Sequence, residues 1–563
     1  MIEFNPGLIM IIGGLLVPLL SGLTRRVFLL ALPAVGLIYT IALEPGTIVN
    51  AELFGYTLEL LRVDKLALVW GYIFHIAAFL GVLYSIHEDD ALQGSMAQIY
   101  MGSAVAAVFA GDLITLFVFW ELTAISSVFL IWASRTERSF RAGMRYLIIQ
   151  VGSGVFLLAG AILLLADTGS IAFNHIGIES LGGKLIFLAF GIKCAFPLLH
   201  NWLQDSYPEA TVSGTVILSA FTTKLAVYSL ARGYAGTEIL IAIGAIMTAF
   251  PIFYAVIEND LRRVLAYSLN NQLGFMVVGI GVGTELALNG TAAHAFAHIL
   301  YKALLFMSMG AVLLRTGTIK GSELGGLYKT MPWTTGFCII GAASISAFPL
   351  FSGFVSKSMI LTALGYEGYW FTWAVLLFAS AGVFHHSGIK IPFFAFFAHD
   401  SGKRPQEAPF NMLLAMGLTA FLCIGIGVYP DPLYAILPFE VDFKPYTTVH
   451  VITQLQLLMF SALAFTFLML TGLYPPELKS TNLDFDVLYR RLAPRFLLSF
   501  GRFISTLDAK LRKSALGMVS NLMRWVERHH GLDGMLAKTH PAGVMVSWMI
   551  GLLFLYLVLY FLG

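Results

Sequence analysis

Several apolar stretches of this chain carry side chains that can exchange protons. Glu121 sits in FVFWELTAIS, Lys193 in GIKCAFPLLH, Lys224 in SAFTTKLAVY, and Arg262 with Arg263 in ENDLRRVLAYSL. His294, His298 and Lys302 share HAFAHILYKALLF, spaced by four, so one helix face would carry all three. His385, His386 and Lys390 lie in VFHHSGIKIPFF, and Lys357 in ISAFPLFSGFVSKSMIL. A lone charge at mid-bilayer costs about 3 kcal/mol on insertion scales. Pairing a carboxylate with a lysine lowers that cost and ties their titrations together. A desolvated lysine can release its proton near neutral pH, and histidine titrates there unaided. A row of Glu, Lys and His in hydrocarbon therefore reads as a proton relay. The blander alternative makes each charge a snorkelling end or a helix tie. It suits Lys193 and Arg263, near segment edges, and suits Glu121, Lys224 and Lys302 poorly. His294 and His298 lack an HExxH pattern and a third ligand nearby, so metal binding is not expected. Hydrogen-bonded core histidines are the alternative to a relay for that pair.

The elements that must hold these groups are membrane spans. Of 563 residues, 58% are hydrophobic and only 12% charged, whereas soluble domains carry about a quarter charged residues. Apolar runs of about 20 residues recur, the length that crosses a hydrocarbon core. The expected fold class is an all-α polytopic membrane protein with about 14–16 transmembrane helices, not a β-barrel. The net charge of +2 gives no nucleic-acid footprint. The three cysteines are scattered in apolar surroundings, without disulfide or zinc spacing. The N-terminal apolar stretch has no basic region before it and reads as a retained first span, not a cleaved signal. Pro197 and Pro208 interrupt one helical stretch, and Pro349 and Gly353 interrupt another around Lys357. Paired interruptions point to a transport site, although two ordinary loops would look the same. From Lys479 to Lys538 there are eleven Lys/Arg against five Asp/Glu, spaced with apolar residues as in a helix on a membrane surface or along a partner. A last apolar span follows. Orientation stays open, because the distribution of basic loops depends on how many times residues 184–231 cross.

Seven stretches in order, from FVFWELTAISSVFLI to FPLFSGFVSK, resemble the antiporter-like proton-translocating subunits of respiratory complex I, membrane-bound hydrogenases and Mrp-type multisubunit sodium/proton antiporters. The resemblance covers most of residues 60 to 430 and is nearest to the D-type Mrp subunits. It implies two inverted five-helix repeats, each with a broken helix: 96–265 and 266–430, after N-terminal helices in 1–95. Beyond them lie an additional helix in 431–478, the basic amphipathic segment 479–540 and an anchor in 541–563. By motif it makes Glu121 the essential glutamate, paired with Lys224 on the first broken helix. It makes His294, His298 and Lys302 the central link, and Lys390 the terminal lysine on the second broken helix. Lys193 and His200 match signature positions with a structural part; Lys357, His385 and His386 are secondary candidates. Arg262 stands where the family usually has lysine, and a guanidinium holds its proton. Asn270, Asn271 and Gln272 follow where histidine is frequent, and Gln204 and Thr211 replace prolines.

The expected function is proton translocation in a multisubunit complex of the bacterial inner membrane, in cation/proton antiport with Na+ or another cation. Other membrane subunits and the bilayer are the expected partners. No Rossmann, P-loop, flavin or iron–sulfur pattern occurs, so no cofactor or redox centre is expected in the chain itself. The alternative is a partner that couples the proton gradient to a redox complex, a soluble enzyme or uptake of inorganic carbon or another solute. A third possibility is a structural anchor with vestigial charges.

Overall fold

The computed structural model of the chain describes residues 3–53, 55–475, 477–478 and 482–563. Residues 479–481, with which the basic segment begins, lie outside the described residues. The chain forms two compact units, Met1–Asn482 and Leu483–Gly563.

The first unit opens with α1 (Gly7–Leu16) and α2 (Gly22–Ile41). A β-hairpin, Ile48–Leu53 antiparallel to Tyr56–Arg62, then leads into α3 (Lys65–Ser85), α4 (Ala91–Val108) and α5 (Leu113–Trp132). The hairpin anchors the start of α5, because the Glu59 N–H donates to the Asp112 carboxylate at 2.9 Å. Polar N-caps set the helix starts where the chain leaves the interface. Asp64, Asp90, Asp112 and Thr136 each accept a backbone N–H from the first turn that follows. Next come α6 (Glu137–Thr168), α7 (Leu181–Lys193), α8 (Asn201–Ser206), α9 (Val212–Ala220) and α10 (Thr222–Gly233). The second half runs α11 (Ile239–Ile257), α12 (Leu261–Val282), α13 (Glu285–Thr316), α14 (Pro332–Ile345), α15 (Ser352–Tyr366) and α16 (Trp370–Val383). α16 continues through π-helical turns at Phe384–Ile389 and Phe393–Phe397 on either side of Lys390–Pro392. Helices Phe410–Val428 and Thr448–Leu470 complete the unit.

Eleven helices among the described residues are long and apolar enough to cross a membrane. They differ in what surrounds them. The α9–α10 span is 100% buried and α13 is 89% buried over their most apolar windows, which puts both at the centre. α12, although buried, carries Asn270, Asn271 and Gln272 in its middle. The second unit, described by itself, holds the 38-residue helix Ala493–His530 and the apolar helix Ala542–Leu562.

The two sequence interruptions fold alike. Both contain Ala-Phe-Pro-Leu, at 195–198 and 347–350. Ala195 (φ 62°), Leu198 (φ 71°), Ala347 (φ 56°) and Leu350 (φ 76°) are left-handed, a region that costs an L-residue about 1–2 kcal/mol. The hydrogen bonds match position for position. Ala195 N–H donates to Ile192 O and Ala347 N–H to Ser344 O, both at 3.1 Å. Phe196 donates to Gly191 O and Phe348 to Ala343 O, both at 3.0 Å. The bulk and missing N–H of proline force a helix to stop, and these bonds satisfy carbonyls left at its end. The same backbone device thus occurs once in 96–265 and once in 266–430. The helices α6 and α13 that precede the two breaks are also alike, each of 32 residues ending on a left-handed glycine.

Candidate functional site

Glu121 lies on α5 with its Oε1 buried and without a hydrogen-bond partner among the described residues. α6 makes room for it with Gly154, where an added Cβ would collide with the carboxylate. The cation facing this turn is Lys193, the last residue of α7. Its Nζ donates to Trp120 O and to Thr123 Oγ1, both at 2.7 Å, and lies 4.2 Å from the Trp120 ring centroid. Glu121 and Lys193 therefore flank each other across one turn of α5, each within the other's field. Among the described residues the cation beside Glu121 is thus Lys193, where the motif led to Lys224. The reason is local: the first break begins at Cys194, so α7 stops with Lys193 at its tip against α5.

Lys224, fully buried, follows the kink at Phe221 and donates to Ser219 O at 2.6 Å. No ion pair among the described residues joins it to Glu121. Its charge acts instead on His294, His298 and Lys302.

α13 presents those three groups along one buried face. His294 Nδ1 is 3.2 Å from Ser356 Oγ, and its Nε2 is 3.4 Å from Tyr301 OH. Tyr301 OH donates to Gln272 Oε1 (3.2 Å), and Gln272 Nε2 to Asn271 Oδ1 (2.6 Å). The amides that replace the frequent histidine thus form a side network that ends on Thr248 O. Amides do not titrate, so this branch orients His294. Both ring nitrogens of His298 are buried without partners among the described residues.

Lys302 Nζ donates to Leu265 O (3.2 Å) and Ser268 Oγ (2.8 Å). Ser268 Oγ accepts from Ser387 Oγ at 2.7 Å, and Ser387 Oγ is 2.8 Å from His386 Nδ1. A continuous hydrogen-bonded row therefore joins the lysine of α13 to a histidine in the π-helical turn, and every member is buried. Hydroxyls donate and accept, and rotate between the two, so the row can pass a proton either way. Sequence reading missed both serines, since serine inside a helix carries no charge to betray it.

Lys357 is buried on α15, just past the second break, with Nζ donating to Ile345 O (3.0 Å) and lying 4.9 Å from the Phe275 ring. Lys357 follows the loop at 346–351, whereas Lys390 lies within the Trp370–Phe397 span, which π-helical turns interrupt on either side of it. Lys390 belongs to the turn between two π-helical segments, where it pairs with Glu477 at 2.9 Å. His385 stacks on Tyr474, centroids 5.6 Å apart. His200 is buried with its ring edge-on to Phe250, at the first break and away from the row. Arg262 Nη2 donates to Ala210 O (3.0 Å), Thr211 O (3.1 Å) and Tyr207 O (3.3 Å). These bonds clamp the chain entering α9.

Two solved structures share this fold. The Mrp complex from Dietzia sp. matches with TM-score 0.70 at 20% identity, over 77% of this chain and 95% of that one. A membrane-bound sulfane sulfur reductase, an archaeal respiratory membrane complex, matches with TM-score 0.69 at 24% identity over the same shares. In sequence the chain is 27% identical to hydrogenase-4 component B of Escherichia coli, over 65% of this chain and 62% of that protein's length. It is 30% identical to the D-type subunit of the Na(+)/H(+) antiporter of Alkalihalophilus pseudofirmus, over 58% of this chain and 71% of that protein. Residues 110–423, which hold Glu121, both breaks, the serine row and Lys390, match the family model for the transmembrane region of NADH:quinone oxidoreductase and Mrp antiporters, and the chain belongs to that family.

Proposed function

We propose that this chain is a proton-translocating, antiporter-like component of a multisubunit complex in the bacterial inner membrane, exchanging protons for a cation. The observation that carries the reading is the buried row Lys302–Ser268–Ser387–His386. A structural tie would not need four proton-exchanging groups in series inside a bundle. The names of relatives, A-type and D-type Na(+)/H(+) antiporter components among them, support the cation. The paired Ala-Phe-Pro-Leu loops support reading 96–265 and 266–430 as related halves.

In this mechanism Glu121 and Lys193 are the input. While they face each other, the carboxylate favours the charged lysine. When they part, the Lys193 ammonium loses its counter-charge and the field on Lys224 changes. Lys224 acts in turn on the α13 face, and Lys302 delivers its proton through the two serine hydroxyls to His386. Arg262 holds the entry to α9 rigid throughout. The test is proton flux in liposomes carrying the assembled complex. Glu121→Gln and Lys302→Ala are each expected to reduce it by about tenfold or more; wild-type flux in both variants would sink the reading.

A further inference from the structure

The far end of the row has an acid that no motif marks. Lys390 Nζ, fully buried, is ringed by the carbonyls of Val256 (2.6 Å), Glu258 (2.7 Å) and Ala255 (3.2 Å) and by Glu477 Oε1 (2.9 Å). Those carbonyls close the C-terminal end of α11, whose unpaired C=O groups and dipole favour a cation. Two carboxylates approach this site, and their surroundings separate them. Glu258 is occupied: Oε1 accepts the N–H groups of Asn259 (3.0 Å) and Asp260 (3.1 Å), and Oε2 accepts Asn482 Nδ2 (3.1 Å). Glu477 has, among the described residues, no hydrogen-bond donor on either oxygen beyond its ion pair with Lys390, although both oxygens are buried. Burial pushes its carboxyl above the usual range, and Lys390 pulls it back. Glu477 also lines a cavity of about 300 Å³ with Ser322, Phe394, His399, Met469 and Tyr474. On the inner side, His386 precedes Lys390 by four residues, about one π-helical turn. The other ionisable groups beside it are His399 and Tyr474 in the cavity wall and His385, which stacks on Tyr474.

We infer that Glu477 is the terminal proton acceptor of the relay, and that its ion pair with Lys390 gates passage between the buried row and the cavity. The inference rests on the proton-translocating reading above. In the step, an N–H bond of the Lys390 ammonium breaks and an O–H bond forms on Glu477 Oε1, leaving a neutral amine and a neutral acid. The acid then releases its proton to water in the cavity and is again a carboxylate. The amine takes a proton from the His386 imidazolium, which Lys302 recharges through Ser268 and Ser387. Each cycle moves one proton and restores Glu477, Lys390 and His386, and Lys302 takes its replacement proton from the input side.

The experiment measures flux in liposomes holding the whole complex, with Glu477→Gln, Glu477→Asp and Lys302→Ala side by side. Glu477→Gln is expected to lose about a hundredfold, the scale of a missing acid–base group, while Glu477→Asp retains most of the flux. A merely structural carboxylate would lose flux equally in both, or in neither, and either result overturns the inference. If Lys302→Ala is also fully active, the underlying reading fails; if it alone is inactive, only the gate is wrong. Should Glu477→Gln not assemble, dicyclohexylcarbodiimide labelling of the wild-type complex decides. Modification of Glu477, located by mass spectrometry, is expected of a carboxyl that becomes protonated in an apolar site, and its absence overturns the gate.

Discussion

Ser387→Ala removes one oxygen and no charge, and so isolates the row from the electrostatics around it. In the structure that oxygen makes two contacts, 2.7 Å to Ser268 Oγ and 2.8 Å to His386 Nδ1. A methyl group offers neither a donor nor an acceptor, and no other side chain among the described residues bridges Ser268 and His386. A buried hydrogen bond is worth about 1 kcal/mol net, and orphaning a buried polar partner costs about 1–3 kcal/mol. His386 is the vulnerable partner, since its Nε2 has no hydrogen bond among the described residues. An added barrier of that size, at about 1.36 kcal/mol per decade, slows transfer by about 10- to 100-fold. The assay is the initial rate of pH change inside liposomes bearing the complex, read with an entrapped dye. Ser387→Thr keeps a hydroxyl and is expected to keep most of the rate. Ser308→Ala is the control, because Ser308 bonds only within α13, to Leu304 O, and to Met416 Sδ. Full flux in Ser387→Ala, or the same loss in Ser308→Ala, would refute the reasoning.

Other outcomes follow from the same geometry. Gly154→Ala should displace the Glu121 carboxylate and cut flux as deeply as Glu121→Gln, although no titratable group is changed; intact flux would mean that the carboxylate's position is irrelevant. Because Lys193 and Glu121 act as one pair, the double variant Glu121→Gln/Lys193→Ala should be no slower than the slower single variant, and multiplied losses would separate them. Arg262→Ala leaves the buried Ala210 carbonyl without its donor at a cost of roughly 1–3 kcal/mol, so the thermal unfolding temperature of the purified protein should fall by several degrees, with flux limited only by the folded fraction. At the surface, Arg404, then Lys329 and the Gly402 N–H, hold the Asp400 carboxyl below its usual range. A lowered acid stabilises the fold fully above its unfolded value and loses that effect only as pH falls through the lowered one. Amide exchange around 398–404 should therefore stay slow down to about pH 4, and should quicken at neutral pH in Asp400→Asn.

The charges were legible because hydrocarbon makes them conspicuous: Glu121, Lys224 and Lys302 stand out in their apolar runs. Their pairing was not. Lys193 docks on Trp120 across 73 residues of sequence, and only the early stop of α7 aims it there. The prolines marked both breaks, yet the left-handed Ala and Leu that shape them are residues with no such preference. Ser268 and Ser387 meet across 119 positions and look like ordinary helix serines until the π-helical turn brings them together. Glu477 lay past the recognisable motifs, outside any helix, and only the folded chain sets it against Lys390. The β-hairpin after α2 also escaped notice, because its short strands sit between apolar runs that dominate the pattern.

The central claim is that a proton passes through Lys302. The most direct measurement is the proton flux of the assembled complex with Lys302→Ala, set against wild type at equal protein per liposome. A fall to about a tenth or less, with the complex intact, is the expected result. Undiminished flux would contradict the account.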